Sequence, residues 1–481
     1  MIKTRWLVYF IIAGVVVWTM AFPIASLSVS KPSRKDVGAD GPVYLLYASQ
    51  VYGQVRSCNC TKFRYGGYGR QATLIKQFSD QNANVVLVDC GDALSGDTSA
   101  QGQFKRDLTT RILSKIGYHA WVPGETEIAA DLHAVNEKCV ELGVPFTCAN
   151  VFDTSTGKRV CPSHISYKTP GGVRVAIIGL FGKDLAPNDV LRKTSVKIGD
   201  PADLLRKMAP GIAKSADIIV IAAHMPLAEA TAIAELGIGD VVICSHIEKE
   251  LHMPDKDQNV VEVPYTTIGD VVFLRSLTRT NWSVGKLELK RGKANKWQAS
   301  SNSLVYMDRA YDEHADIVKL FDDHNESLRD HYVKQRDKMR AELDARVRAS
   351  GLDPDEIRER NKRFSGHGAC KECHPKAYEV WASSQHSRAI DTLKKTKQEY
   401  DPECIDCHTT GRRQMTGFVN MKETPELANV QCEACHGPGK EHKAKPAKGY
   451  GATGEANCRG CHTDELDPEF DYELRWKKIA H

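Results

Sequence analysis

Four copies of the motif Cys-x-x-Cys-His lie within the last quarter of this chain of 481 residues. They begin at Cys370, Cys404, Cys432 and Cys458, and together they use eight of the fifteen cysteines. Two thiols three positions apart can form thioether bonds to the two vinyl groups of one haem, and the histidine that follows then lies under the iron as its proximal ligand. The motifs therefore predict four covalently attached c-type haems.

The motif itself assigns the attachment residues. The thioether cysteines are Cys370, Cys373, Cys404, Cys407, Cys432, Cys435, Cys458 and Cys461, and the proximal histidines are His374, His408, His436 and His462. Zinc is the competing interpretation, because paired Cys-x-x-Cys units also form structural zinc sites. A histidine directly after every pair favours haem, and so does the export signal described below.

Four further histidines follow Phe364, which is as many as there are motifs. They are His367, His386, His442 and His481. The count fits two histidine ligands for each iron but assigns no pairs, and an exposed polar side chain is the alternative interpretation for His367 and for the terminal His481. An iron that lacks its distal histidine would be five-coordinate and open to a small ligand.

The N-terminus has the pattern of an export signal. Lys3 and Arg5 precede an apolar run from Trp6 to Phe22, which is the order of charged and hydrophobic regions in a signal peptide. The run is close to a membrane-spanning length. We expect residues 1–28 to be a signal peptide or an N-terminal membrane anchor, and the rest of the chain to lie on the periplasmic side, anchored or secreted. The net charge of +4 gives no reason to expect nucleic acid as a partner.

Between residues 41 and 308, short apolar runs alternate with helix-like segments, which predicts an α/β domain with buried strands. The runs are Val43–Tyr47, Val85–Asp89, Val173–Leu180, Ile218–Ala222 and Val241–Cys244. The helical segments are Gln71–Phe78, Leu108–Ile116 and Asp203–Ala213. Consecutive strand-like segments from Val260 to Tyr306 complete the domain.

Two further regions follow this domain. Residues 309–362 are highly charged with apolar residues at helical spacing, so we predict a charged helical linker. Residues 363–481 contain few apolar residues, so we predict a mostly α-helical or irregular domain in which the four haems supply most of the core.

The haem region resembles the tetrahaem cytochromes known from ammonia oxidation. The resemblance rests on the run from Gly368 to His374 with Trp381 and His386 after it, and on Cys432–Gly439 followed by His442. It implies that His386 and His442 are distal iron ligands. It also implies closely spaced haems that conduct electrons.

The N-terminal region resembles the metallophosphatase domain of exported 5'-nucleotidases. The resemblance rests on Gly66-Gly67, on the segment Asp89-Cys90-Gly91-Asp92, and on Ala223-His224. It implies a four-layer α/β sandwich. It also implies a site at which two metal ions activate water and hold a phosphate group.

The metal ligands of that family are only partly present. Asp92, His224 and His246 match the pattern, whereas other residues stand at the remaining ligand positions. These other residues are Gln50, Tyr52, Glu125, Thr126 and Glu248. We therefore predict that the dinuclear hydrolytic centre is lost.

Four thiols fall in the loops and strands that line the cleft of this fold: Cys58, Cys60, Cys90 and Cys244. They could form a thiol redox site or help to bind a single soft metal ion. Alternatively, Cys90 and Cys244 are small buried hydrophobic residues. The sequence leaves these interpretations open.

The sequence thus predicts an exported electron-transfer protein with four haems. Its expected partners are redox proteins or a membrane quinol-linked electron-transfer complex. One alternative is a diverged metal-dependent phosphohydrolase with an appended redox docking domain. Another is a haem enzyme that acts on a small nitrogen or sulfur species at one open iron.

Overall fold

The computed structural model describes residues 41–56, 65–246, 258–278, 281–292, 296–412, 414, 416–463, 466–467 and 470–481. The predicted export segment, residues 1–28, lies outside these ranges. Within them, no helix is long and apolar enough to cross a membrane.

Two six-stranded mixed sheets form the centre of the N-terminal domain. The first has the order β10-β14-β13-β1-β2-β3, where the strands are β1 (Val43–Ala48), β2 (Val85–Asp89), β3 (Ala120–Trp121), β10 (Val260–Glu262), β13 (Ser283–Arg291) and β14 (Trp297–Tyr306). The second has the order β11-β12-β9-β8-β6-β5, where the strands are β5 (Ile165–Lys168), β6 (Arg174–Phe181), β8 (Ile218–His224), β9 (Val241–Cys244), β11 (Tyr265–Ile268) and β12 (Val271–Arg275). Strands β4 (Val151–Asp153) and β7 (Val196–Ile198) form a separate antiparallel pair.

Seven helices accompany these sheets in the described part of the domain. They are α1 (Tyr68–Gln81), α2 (Ala100–Ile116), α3 (Glu125–Ala129), α4 (Leu132–Leu142), α5 (Asn188–Lys193), α6 (Pro201–Ile212) and α7 (Leu227–Glu235). Helix α2 begins where the Ser99 hydroxyl accepts a hydrogen bond from the Gly102 amide, and it ends at Gly117, whose φ of 82° suits a residue without a Cβ.

The domain has four layers, as predicted. One hydrophobic cluster lies between the sheets and includes Val86 and Ile177. A second joins the first sheet to α1 and α2 and includes Ile112, and a third joins the second sheet to α6 and α7 and includes Leu205. Strand β2 is buried along its whole length, because its two faces meet two different clusters.

The predicted linker is chiefly one helix of 35 residues, α8 (Ala315–Ala349), followed by α9 (Pro354–Asn361). The first half of α8 buries Ile317, Phe321 and Leu328. The Arg56 guanidinium lies 5.0 Å from the centre of the Phe321 ring. This half therefore packs as part of the N-terminal domain instead of acting only as a spacer.

The C-terminal region consists of short helices joined by irregular segments. The helices are α10 (His367–Lys371), α11 (Pro375–Ser383), α12 (Ala389–Lys395), α13 (Pro402–His408), α14 (Cys432–His436), α15 (Lys440–Ala444), α16 (Glu455–Arg459) and α17 (Tyr472–Trp476). A small cluster of buried apolar residues, with Phe364 and Phe418 as its largest members, holds part of the region together. This arrangement confirms the predicted largely helical domain.

The two domains meet at the helix that carries the second haem motif. The Gln101 amide of α2 donates a 2.5 Å hydrogen bond to the Asp401 carboxylate, which caps α13. Lys105, one turn further along α2, forms an ion pair with Glu403. The second haem motif thus lies directly against the α/β domain.

Candidate functional site

The ends of four strands, two in each sheet, bring the three matching phosphatase-type positions together with one replaced position, Glu125. Asp92 follows β2, Glu125 begins α3 after β3, His224 ends β8 and His246 follows β9. The carboxyl ends of neighbouring parallel strands meet at one edge of a sheet, where α/β folds place their ligands. Sequence positions up to 154 residues apart therefore share one site.

The three residues Glu125, His224 and His246 present ligand atoms within 4.8 Å of one another. Glu125 Oε2 lies 2.5 Å from His224 Nε2, and Glu125 Oε1 lies 3.1 Å from His246 Nδ1. Asp92 Oδ2 lies 3.4 Å from His224 Nε2, at the edge of this group of three. A carboxylate and two imidazoles suit a divalent ion such as zinc, manganese or iron.

Backbone contacts fix the orientation of His224. Its Nδ1 donates to the Cys90 carbonyl at 2.8 Å, and the Ser245 hydroxyl donates to the same carbonyl at 2.6 Å. With Nδ1 bonded to this carbonyl, the ring directs Nε2 into the site towards Glu125, and release of the Nε2 proton would leave that nitrogen able to bind a metal. The close approach needs glycine at position 91, because a Cβ there would lie 2.5 Å from His224 Nδ1.

Glu127 holds the loops around the site. Its carboxylate accepts hydrogen bonds from the amides of Asp92 (2.9 Å), Leu94 (2.8 Å) and Gly124 (2.7 Å). Burial, together with the nearby Asp92 charge, raises the pKa of Glu127 to about 7 despite these bonds. Glu127 thus joins the loop after β2 to the start of α3, which positions Asp92 beside Glu125.

The site carries opposite charges in close contact. Burial opposes ionisation of Glu125, but the hydrogen bonds from His224 and His246 outweigh it and hold the pKa of Glu125 well below its usual range. Burial would lower the pKa of His224, but the carboxylates of Asp92 and Glu125 raise it well above its usual value. Two carboxylates thus share the site with the two histidines, and a bound cation would take the place of the histidine protons between them.

Glu125 is the residue that sequence reasoning did not recognise as a ligand. The family pattern counts position 125 among the replaced ligands, whereas the structure places the Glu125 carboxylate between His224 and His246. The residue type alone could have identified Glu125 as a ligand, since glutamate commonly binds metal ions. Gln50 and Tyr52, at two of the other replaced positions, are hydrogen-bonded, with Gln50 Nε2 donating to the Tyr52 hydroxyl at 2.8 Å.

Two of the four predicted thiols, Cys90 and Cys244, lie outside this donor set. Cys90 lies in the cluster between the sheets and Cys244 in the cluster beneath α7. Burial raises the pKa of the Cys90 thiol well above its usual value and that of Cys244 to about 11. Cys58, Cys60 and the replaced ligand Glu248 lie outside the described residues, so the thiol site stays a prediction.

Three pairs of histidine rings face each other in the C-terminal domain. The ring centres are 6.2 Å apart for His374 and His442, 6.2 Å for His386 and His462, and 5.7 Å for His436 and His481. Two imidazoles that bind one metal from opposite sides, each about 2.0 Å away, place their centres ~6 Å apart. Each pair consists of one predicted proximal and one predicted distal histidine.

Hydrogen bonds orient three of the proximal histidines. Nδ1 of His408 donates to the Ala389 carbonyl at 2.7 Å, and Nδ1 of His436 donates to the Gly451 carbonyl at 2.6 Å. Nδ1 of His462 lies 2.8 Å from the Asp467 carboxylate. Each bond leaves Nε2 available as a ligand, so these residues fit a haem iron.

His367 and His408 have different surroundings from the three pairs. The His367 ring lies 4.8 Å from the Trp381 ring and 5.8 Å from the Tyr378 ring. In the part of the chain that the structure describes, no ring contact joins either residue to a second imidazole.

The four motifs lie close to one another in a definite order. The Gly366 amide, four residues before the first motif, donates to the carboxylate of Glu433 within the third motif at 2.8 Å. The Asn457 side-chain amide, next to the fourth motif, donates to the Cys435 carbonyl of the third at 3.3 Å. Residues 386–389 link the fourth motif to the second, because the His386 ring lies 6.2 Å from the His462 ring and the Ala389 carbonyl accepts from His408.

Comparisons with known proteins agree with this division of the chain. Residues 369–437 match the protein family described as cytochrome c554 and c-prime. Cytochrome c-554 of Nitrosomonas europaea is 29% identical in an alignment of 134 positions, which covers 21% of this chain and 57% of that protein. The 5'-nucleotidase of Vibrio cholerae is 30% identical in an alignment of 175 positions, which covers 34% of this chain and 31% of that protein.

A solved structure supports the fold of the N-terminal domain. Sulfate thiohydrolase SoxB of Thermus thermophilus, in complex with glycerol, superimposes with a TM-score of 0.50 at 15% identity over 62% of each chain. This likeness concerns the fold alone.

The chain therefore combines two classes of domain, a multihaem cytochrome domain and a metallophosphatase-like α/β sandwich. The first is of the cytochrome c554 type and the second is 5'-nucleotidase-like, which confirms both resemblances inferred from the sequence. The cytochrome type implies c-type haems.

Proposed function

We propose that this protein is an exported electron carrier with four c-type haems, three of them held by two histidines each. The three facing histidine pairs carry the proposal, because each has the separation that a shared iron requires. Two strong nitrogen ligands without methionine favour low-potential, low-spin haems suited to electron transfer.

The pairs assign the ligands in the order of the motifs. The first haem takes His374 and His442, the third His436 and His481, and the fourth His462 and His386. The second haem takes His408 alone, because no second imidazole faces that residue among those described. Its iron would then be five-coordinate, which is also the observation that favours the alternative of a haem enzyme acting on a small nitrogen or sulfur species.

The contacts between motifs support an electron path through the domain. In the proposed order, electrons move between the first haem and the third, then the fourth, then the second. The second haem lies at the contact with the α/β domain, and the first lies at the opposite end of this sequence of contacts.

For the N-terminal domain we propose a single bound divalent ion in place of a two-metal centre. Asp92, Glu125, His224 and His246 would hold it. The neutral Gln50–Tyr52 pair offers no carboxylate or imidazole to a second ion, so two-metal phosphate hydrolysis has no support in the described residues. A single ion supplies Lewis acidity or a bound hydroxide.

Haem counting and metal analysis on the full-length protein test both parts. The pyridine haemochrome assay should give four haems per chain, and elemental analysis should give one additional divalent metal. Glu125→Ala and His246→Ala should lower metal retention at least about tenfold, whereas Gln50→Ala should leave it unchanged. Equal loss of metal in all three variants would contradict the assignment.

The hydrolase alternative needs a separate assay. If a phosphodiester or nucleotide substrate is turned over in a metal-dependent reaction that His224→Ala abolishes, the protein is a phosphohydrolase and the proposal of an electron carrier alone is wrong. If no such turnover occurs while the haems reduce and reoxidise, the redox assignment stands.

We also propose that the protein works on the periplasmic side of the membrane, with redox proteins or a membrane quinol-linked complex as partners. The N-terminal apolar run and the need of c-type haems for covalent attachment outside the cytoplasm support this location. Fractionation of cells that express the full-length chain would test it, and recovery of the haem protein in the cytoplasm would contradict it.

A further inference from the structure

Lysines are concentrated around the first haem motif and its facing histidine. Residues 371–379 and 440–450 contain six lysines and three glutamates. The lysines are Lys371, Lys376, Lys440, Lys443, Lys445 and Lys448, and all six side chains are exposed. The cytochrome domain as a whole, residues 363–481, carries equal numbers of acidic and basic residues, so this local excess is a feature of one surface. We call it the lysine surface.

The two segments of the lysine surface lie together in space. The Lys443 ammonium is 3.9 Å from the Glu372 carboxylate, which joins the segment around His442 to the segment around His374. The rings of these two histidines face each other at 6.2 Å. The lysines therefore surround one haem position instead of being spread over the domain.

Much of this positive charge is not neutralised within the protein. Lys376, Lys445 and Lys448 form no ion pair with the described residues, while Lys443 pairs with Glu372. Exposed, unpaired lysines at one site create a local positive potential that attracts an oppositely charged surface.

The same site gives access to the first haem position. Cys373 of the first motif and the adjacent His374 are exposed. An open cavity of about 410 Å³ lies beside His442 and is lined by that residue with Glu441, Ala444, Lys445 and Tyr450. A redox partner seated on the lysine surface would therefore approach the haem edge closely.

The opposite end of the haem sequence is covered by this chain's own α/β domain. Gln101 and Lys105 of α2 contact Asp401 and Glu403 beside the second motif. The first haem is thus the end of the proposed path that remains accessible to another protein.

We propose that the lysine surface is the docking site for a one-electron redox protein with an acidic surface, and that electrons enter the chain at the first haem. The partner's reduced centre loses one electron and the ferric iron held by His374 and His442 gains it to become ferrous. No bond is made or broken and no proton moves. This inference rests on the proposed function and specifies its entry point and the charge of its partner.

The test compares two double variants of the holoprotein that change the net charge equally. Lys445→Glu/Lys448→Glu alters the lysine surface, and Lys334→Glu/Lys338→Glu alters two exposed lysines on the long helix α8. The probe is a reduced flavodoxin, an acidic one-electron donor, and haem reduction is followed by stopped-flow absorbance. Hexaammineruthenium(II), a cationic reductant, serves as a second probe whose charge is opposite to that of flavodoxin.

We expect the Lys445/Lys448 variant to lower the second-order rate with flavodoxin at least about fivefold at low ionic strength, and the difference to disappear in high salt. The Lys334/Lys338 variant should change it less than about twofold. With the ruthenium complex, the rate for the Lys445/Lys448 variant should rise instead. Equal effects of both variants, or no effect of either, would overturn the proposal.

Other occupants of the surface give other results. If the wild type forms dimers that the Lys445→Glu/Lys448→Glu variant lacks, the surface binds a second copy of the chain and the proposal is wrong. If that variant loses binding to anionic phospholipid vesicles with an unchanged flavodoxin rate, the surface binds membrane and the proposal is wrong. A wild-type protein without reducible haem would instead refute the proposed function, and the haem spectrum recorded before mixing separates that failure from the others.

Discussion

His481, the last residue of the chain, offers a sharp test of the proposed ligand assignment. Its ring lies 5.7 Å from that of His436, with 60° between the ring planes. Its side chain is exposed, and Nδ1 lies 3.0 Å from the Ile479 carbonyl. Replacement by alanine therefore creates no cavity, so its effect should come from the iron ligand that it removes.

The expected spectroscopic effect follows from the pairing. Under the proposed assignment, three of the four irons in the wild type have two imidazole ligands and one has a single imidazole. His481→Ala removes the distal ligand of the third haem, so a second iron becomes five-coordinate. The high-spin share of ferric haem should rise from one quarter to one half, without loss of covalently bound haem.

Electron paramagnetic resonance on the ferric protein, with quantified high-spin and low-spin signals, measures this change. His367→Ala is the matched control, because His367 packs on Trp381 at 4.8 Å and faces no proximal histidine. The control should keep the wild-type ratio. If His481→Ala leaves the ratio unchanged, or if His367→Ala shifts it equally, the pairing of His436 with His481 is wrong.

Three further predictions concern stability and the domain contact. Burial lowers the pKa of His119 to about 4, and its Nδ1 accepts the Leu87 amide at 2.9 Å. The unfolded chain therefore binds the proton first as pH falls below about 6.5, so the free energy of unfolding should fall by up to about 3 kcal/mol between pH 6.5 and 4. Denaturant titrations should show this loss in the wild type, and an equal loss in His119→Gln would contradict it. Phe321→Ala should lower the free energy of unfolding of the α/β domain by about 3–5 kcal/mol, because its side chain is 2% exposed, and circular dichroism during denaturation would detect it. Gln101→Ala leaves the buried Asp401 carboxylate without this donor, so contacts between the domains should weaken by about 1–3 kcal/mol. Faster amide hydrogen exchange at residues 401–408 is the expected result, and unchanged exchange would argue against the contact.

The sequence predicted the sheets well wherever a strand is an uninterrupted apolar run. Val85–Asp89 and Val241–Cys244 have the predicted bounds, since both faces of these strands are buried. Helix α2 begins at Ala100, eight residues before the predicted Leu108. Its first turns are polar and contact the haem domain, and apolar periodicity gives no signal for such a surface.

The candidate sites were predictable in composition but not in arrangement. The motifs predict the cysteines and proximal histidines, because covalent attachment is a local pattern in the chain. The 5.7 Å separation of the His436 and His481 rings depends on how the last helix folds back, which no local pattern encodes. Glu125 was missed for a similar reason, since its role follows from its position between two histidines that are remote in sequence.

A reductive titration of the full-length protein tests the central claim most directly. A one-electron reductant is added stepwise under anaerobic conditions. The protein should take up four electrons per chain, and the haem absorbance bands should change with each addition until the fourth electron is taken up. That result would establish a chain that carries four electrons on four haems. Uptake of fewer than four electrons would contradict the account. It would also be contradicted if some of the four electrons were consumed without a change in the haem bands.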